Sequence, residues 1–219
     1  MNAATRLPRA ILFDWDNTLV DTWETIHAAL VVTLERMGHP PWTLAETKQR
    51  VSHSLKNSFP KLFGARWDEA RQIYLDSYAA IHLDRLVPAA GAEDMLEALT
   101  ARGLLLGVVS NKTGASLRIE AAHLGWSRYF TCLVGAGDAS ADKPDPAGFA
   151  LALAESGVKL SPEVWYVGDT GLDMESAARA GVTGVLLGAP HGDPAELAKF
   201  LPALRFPGCA GFANHLAAM

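Results

Sequence analysis

Ala10-Ile11-Leu12-Phe13-Asp14-Trp15-Asp16-Asn17-Thr18-Leu19-Val20 is the stretch on which the fold turns. Four consecutive apolar residues give way at once to two carboxylates two positions apart. A run apolar at every position suits a strand buried on both faces, as in a parallel sheet, because a strand with one face in water alternates instead. Short, largely apolar runs of the same form recur at 104–109, 131–134, 164–167 and 182–187. Between the later runs lie amphipathic segments at 91–101, 115–124, 147–155 and 173–180. Several of these end in glycine (Gly103, Gly125, Gly157, Gly181), which closes a helix in left-handed geometry before the next strand. The alternation predicts an α/β, doubly wound parallel sheet with helices on both faces.

Residues 21–87 break that rhythm. They carry no convincing strand, only helical periodicity over 22–37, 44–51 and 66–83, with Gly38-His39-Pro40-Pro41 and residues 58–64 as separators. An all-helical insertion after the first strand is expected, with Val87-Pro88 and Gly91 returning the chain to the sheet. The division that follows is a sheet-bearing core of 1–20 and 88–219 and a helical insertion of 21–87. Residues 188–194, rich in Gly and Pro, read as a surface loop.

The chain of 219 residues is long enough to bury a core without covalent staples. A formal net charge of −5 gives no electrostatic footprint for nucleic acid. The apolar runs fall far short of the roughly 20 residues that span a bilayer, so no membrane crossing is expected. Cys132 and Cys209 are too few for a disulfide scaffold, and residues 1–8 lack an apolar signal segment. The expected location is a reducing cytoplasm.

Ligands of open parallel sheets bind beyond the carboxyl ends of the strands. Those ends carry Asp14 and Asp16 after the first run, Ser110-Asn111-Lys112 after the second, Lys143-Pro144 in the loop after the third, and Gly168-Asp169-Thr170-Gly171-Leu172-Asp173 after the fourth. Any one of these alone is an ordinary cap or turn. Together they form a chemical set. Carboxylates of Asp14, Asp169 and Asp173 are the hard oxygen ligands that suit Mg2+. Asp14 is placed to attack a phosphoryl group in line, with Asp16 as general acid and base. Ser110 and Asn111 are expected to hydrogen-bond phosphoryl oxygens, and Lys143 to offset the charge on them.

The four motifs resemble those of the haloacid dehalogenase superfamily, and within it the phosphoglycolate phosphatase-like branch. The resemblance covers nearly the whole chain. It implies a Rossmann-like core with an inserted helical cap, Mg2+ as cofactor, and a phosphoric monoester hydrolase acting on a small phosphorylated metabolite as a monomer or homodimer. It also implies that Asp14 is nucleophile and metal ligand, that Asp16 is acid and base with a metal-binding main-chain carbonyl, and that Asp169 and Asp173 supply metal-binding carboxylates. Two positions depart from the pattern: Asn17 stands where Gly is frequent and Trp15 where Leu or Phe is commoner. Asn tolerates unusual backbone geometry and Trp15 can pack sideways, so neither removes a catalytic group. Asp16 argues against carbon–halogen hydrolysis, since a departing halide needs no proton. A sugar phosphomutase and a noncatalytic phosphate-binding protein remain as alternatives.

In the helical insertion, Arg50, His53, Lys56 and Lys61 surround an interhelical loop, and Lys56 is the expected contact for an anionic substrate tail. Any one of them is also an ordinary solvated charge. Trp23, Trp42 and Trp67 read as packing anchors, and His27 and His39 carry no signal.

Overall fold

Side-chain alternation along β1 (Ala10–Phe13) accounts for its unbroken apolarity. Ile11 and Phe13 enter the hydrophobic cluster on one sheet face and Ala10 and Leu12 the cluster on the other, all four fully buried. Each such large side chain contributes about 1.5–3 kcal/mol relative to exposure. In this computed structural model, which describes residues 6–51, 53–191 and 194–219, the chain next forms β2 (Val20–Asp21) and then four helices: α1 (Trp23–Arg36), α2 (Leu44–Arg50), α3 (Leu55–Phe63) and α4 (Trp67–Ala79). It returns through β3 (Val87–Pro88), which pairs antiparallel with β2. The two connections to the helical segment therefore lie side by side. The helices enclose a cluster of their own, including Ile26, Leu30, Leu34, Phe59, Phe63 and Tyr78.

The remaining elements are α5 (Ala92–Ala101), β4 (Leu105–Thr113), α6 (Gly114–His123), β5 (Cys132–Ala136), α7 (Ala147–Leu153), β6 (Val164–Thr170), α8 (Gly171–Ala180), β7 (Thr183–His191), α9 (Pro194–Lys199), β8 (Leu204–Phe206) and α10 (Cys209–Ala217). Six strands make one parallel sheet in the order β5-β4-β1-β6-β7-β8. Residues of α5, α6 and α10 pack in the cluster on one face, and residues of α7 and α8 in that on the other. The sheet is doubly wound, as expected. β1 lies at its centre between β4 and β6, so the strand order reverses there and opens a crevice at the carboxyl ends of these three strands.

Some features differ from the sequence reading. Residues 58–64, expected as a separator between helices, lie mostly in α3. The amphipathic face that buries Phe59 and Phe63 outweighs the one backbone hydrogen bond that Pro60 cannot make. Val87-Pro88 joins the small ribbon with β2 rather than the main sheet. The expected loop at 188–194 begins inside β7, where Thr170 pairs with His191 after a register shift; Gly192 and Asp193 lie outside the described residues, as do residues 1–5.

Candidate active site

Asp14 follows β1 directly, its backbone N–H donating to Val167 O at 2.8 Å, and is nearly buried. Burial pushes its carboxyl up to about 6, with Asp173 and Asp16 adding to the rise and Lys143 opposing it. Asn17 has φ 63°, the left-handed geometry that Gly adopts freely and Asn tolerates, and its Oδ1 accepts from the Thr22 N–H at 3.2 Å. Beside that turn, Asp16 Oδ1 accepts from Thr22 Oγ1 and from Lys112 Nζ, each at 2.8 Å.

Lys143 arrives from the loop after β5. Its ammonium donates to Asp14 Oδ1 at 2.9 Å, Asp173 Oδ1 at 2.8 Å and Tyr166 Oη at 2.8 Å, so all three hydrogens are engaged. Burial disfavours the charge, yet Asp14 and Asp173 more than offset it and hold the pKa above the ordinary lysine value. The Asn111 side chain, expected on phosphoryl oxygens, clasps the Lys143 main chain: Oδ1 accepts from its N–H at 3.0 Å and Nδ2 donates to its carbonyl at 3.3 Å. Ser110 is buried at the end of β4, its Oγ accepting weakly from the Lys112 N–H at 3.3 Å.

Asp169 and Asp173 sit at the junction of β6 and α8. Thr170 caps α8 in a capping box with Asp173. Asp173 Oδ2 accepts from the Asp169 N–H, the Thr170 N–H and Thr170 Oγ1 at 3.2, 2.9 and 2.6 Å, while Oδ1 takes Lys143 and Tyr166. Asp173 is therefore both helix cap and member of the charged cluster. Despite burial, Lys143 and Thr170 hold its carboxyl below the ordinary value. Gly168 must be glycine here, because a Cβ would collide with the Asp173 carboxylate. Asp169 is different: Oδ1 accepts from Thr18 Oγ1 at 2.9 Å, but Oδ2 is buried without a partner. Burial, then Asp173 and Asp14, pushes its carboxyl well up.

Carboxylate oxygens of Asp14, Asp169 and Asp173 all lie within 4.8 Å of one another, close enough to surround a single cation. The orphaned Asp169 oxygen and the upward push on two of the three carboxyls fit a divalent cation between Asp14 and Asp169, whereas both Asp173 oxygens are already taken. Above the cluster, a cavity of about 130 Å³ is lined on the far side by Trp23, Ile26, His53, Tyr74 and Tyr78 of the helical segment. Lys56 is not brought there. It is exposed on α3 and lines a neighbouring groove with Trp67, Arg71 and Asn111. Lys61 is exposed, and Arg50 lies over the Trp42 ring at 4.8 Å.

Sequence reasoning gave no role to Thr18, Lys112, Glu120 or Tyr166. Thr18 and Lys112 stood inside the quoted motifs. Tyr166 was hidden in the apolar run of β6, and a polar tip within a strand buried on both faces was its only signal. Glu120 had none, because a lone carboxylate in a helix reads as solvated.

Residues 11–187 match the sequence model described as haloacid dehalogenase-like hydrolase. The chain is 31% identical over 184 residues to a phosphoglycolate phosphatase of Xylella fastidiosa strain 9a5c, covering 82% of this chain and 80% of that protein. It is 32% identical over 184 residues to a phosphoglycolate phosphatase of Xanthomonas campestris pv. campestris strain 8004, covering 82% and 83%. In fold it resembles a haloacid dehalogenase-like family hydrolase from Streptococcus pneumoniae, with a TM-score of 0.85 over 98% of this chain and 99% of the other at 23% identity. Among the described residues no helix is long and apolar enough to cross a membrane.

Proposed function

The chain belongs to the haloacid dehalogenase-like hydrolase family and is a phosphoric monoester hydrolase, and from that premise we propose that it cleaves a small, phosphoglycolate-like monoester through a phosphoaspartate on Asp14. The observation that carries this reading is the meeting of Asp14, Lys143 and the partnerless Asp169 oxygen at the strand-order reversal, beneath a small cavity.

An Asp14 carboxylate oxygen forms a bond to phosphorus as the ester P–O bond breaks, and Asp16 gives its proton to the departing alkoxide. Asp16, now ionised, takes a proton from the water that attacks phosphorus, and inorganic phosphate leaves with Asp14 restored. Lys143 offsets charge on the phosphoryl oxygens while Asp173 and Tyr166 hold its ammonium in place. The Ser110 hydroxyl supplies a hydrogen bond to the same group, and Asn111 fixes the loop that presents Lys143. Asp14, Asp169 and the Asp16 carbonyl would hold Mg2+, with Asp173 as support, and the ion would supply positive charge against the repulsion between carboxylate and phosphate.

Residues 21–87 act as a cap on the core of 1–20 and 88–219. Because both connections run through the β2–β3 ribbon, the cap can swing as a unit, admitting substrate when open and excluding water when closed. Phosphate release from phosphoglycolate, from a panel of other phosphometabolites and from p-nitrophenyl phosphate, with Mg2+ and with EDTA, tests the reading. Mg2+-dependent turnover with phosphoglycolate-like esters leading in kcat/KM is expected, and turnover indifferent to EDTA would count against it.

A further inference from the structure

Glu120 is fully buried in α6 and outside the cavity lining. A buried carboxylate is costly unless its oxygens are satisfied, and these are satisfied from four directions. Trp15 Nε1 donates to Oε2 at 2.7 Å. Oε1 takes the Tyr78 hydroxyl at 2.9 Å, His82 Nδ1 at 2.7 Å and Lys112 Nζ at 3.2 Å. Trp15 belongs to the loop after β1, Lys112 to β4, and Tyr78 and His82 to the end of the helical segment. With a carboxylate as acceptor, His82 Nδ1 carries the hydrogen.

Lys112 is the link to the chemistry. Its ammonium also donates to Asp16 Oδ1 at 2.8 Å and to Tyr78 Oη at 2.6 Å, so its three hydrogens go to Asp16, Tyr78 and Glu120. With Thr22 on the same oxygen, Asp16 Oδ1 is engaged twice and Oδ2 is left for the substrate. Tyr78 in turn belongs to the apolar cluster of the helical segment and stacks on Tyr74 at 5.9 Å. Its hydroxyl reaches both Lys112 and Glu120 only while the end of α4 is seated on the core. The unusual Trp15 has its explanation here, since Leu or Phe could not donate to Glu120.

We propose that Lys112, Glu120 and Tyr78 form a coupling device in which seating of the helical segment fixes the orientation of the Asp16 carboxyl. These are positioning residues: Glu120 and Tyr78 act through Lys112, and Lys112 acts through Asp16. The inference rests on the reading of Asp16 as acid and base in phosphate-ester cleavage.

The test compares wild type with Asp16→Asn, Glu120→Gln and Tyr78→Phe, each with Mg2+, on an alkyl phosphate such as phosphoglycolate and on p-nitrophenyl phosphate. The aryl ester departs with little proton donation, so misplacing the acid affects it less. Glu120→Gln and Tyr78→Phe are each expected to lower kcat for the alkyl ester about tenfold and for the aryl ester by less than about threefold. The double variant should lose about as much as either single one, because both interrupt one chain of contacts. A role in folding alone lowers both substrates together, and that result overturns the proposal, as does no change with either. If Glu120→Gln does not fold, the substrate ratio of Tyr78→Phe decides. Selective loss in Asp16→Asn without selective loss in the other two removes the coupling alone. Absence of phosphate release from wild type, or equal losses in Asp16→Asn, removes the catalytic reading and this inference with it.

Discussion

Thr18 Oγ1 donates to Asp169 Oδ1 at 2.9 Å and ties the loop after β1 to the end of β6. That bond fixes the carboxylate with its second oxygen buried and unpaired, whereas Asp173, four residues on, has both oxygens occupied. On the proposed reading, the two carboxylates of one motif therefore do different work. Asp169→Asn should abolish the rise in melting temperature that Mg2+ gives the wild type, because the stabilisation follows the affinity for the native state. Asp173→Asn should keep most of that rise yet lose about 10–100-fold in kcat, because Lys143 loses an anchor. Melting curves against Mg2+ concentration separate the two, and the opposite pattern would assign the direct metal contact to Asp173.

Asp14→Asn should remove turnover, since a neutral amide is a poor nucleophile, and should also change how stability responds to pH in chelator. Burial raises the Asp14 carboxyl from 3.8 to about 6, so between these values the folded chain binds the proton more tightly than the unfolded chain does. Stability from this group is fully present below about 4 and is lost as pH rises through about 6. Asp169 is shifted in the same direction and Asp173 in the opposite one. At pH 7 without metal, the Asn variant escapes a penalty of at most about 3 kcal/mol, reduced by the loss of the Lys143 partner. It should melt a few degrees above wild type at pH 7 and level with it near pH 4. Calorimetry in EDTA across that range measures the difference, and a gap independent of pH would contradict the assignment.

The legible parts of this chain are those where local pattern and tertiary environment agree. β1 is apolar throughout because it lies at the sheet centre, and the polar residues that end it, β4 and β6 face the crevice where the strand order reverses. β8 was not anticipated because Leu204-Arg205-Phe206 is short and only partly buried, with nothing to separate it from a loop. α3 was not anticipated, because residues 58–64 read as a separator, although a buried face runs through Phe59 to Phe63. The Glu120 network escaped because Trp15 and Glu120 are 105 residues apart, and their pairing has no local trace. Asn17 and Trp15 were both visible as departures. Only the structure shows that one is a left-handed turn and the other a donor to a buried carboxylate.

Lys56 stood out in the sequence as the cation for a second negative charge on the substrate, and its place on α3 gives it a weaker claim. It is exposed and lines the groove beside Trp67 and Arg71, and it is not among the residues around the carboxylates. An exposed ammonium screened by water, lining the adjoining groove, contributes little to holding an anion over the carboxylates. Lys56→Ala should therefore change KM for phosphoglycolate and for p-nitrophenyl phosphate by less than about twofold each. His53 is the basic group of the helical segment that does line the cavity, and its Nε2 lies 3.7 Å from Glu196 of α9. His53→Ala should raise KM for the carboxylate-bearing ester more than for the aryl ester. A selective rise in Lys56→Ala with none in His53→Ala would return the anion contact to Lys56 and require the cap to close further than it does here.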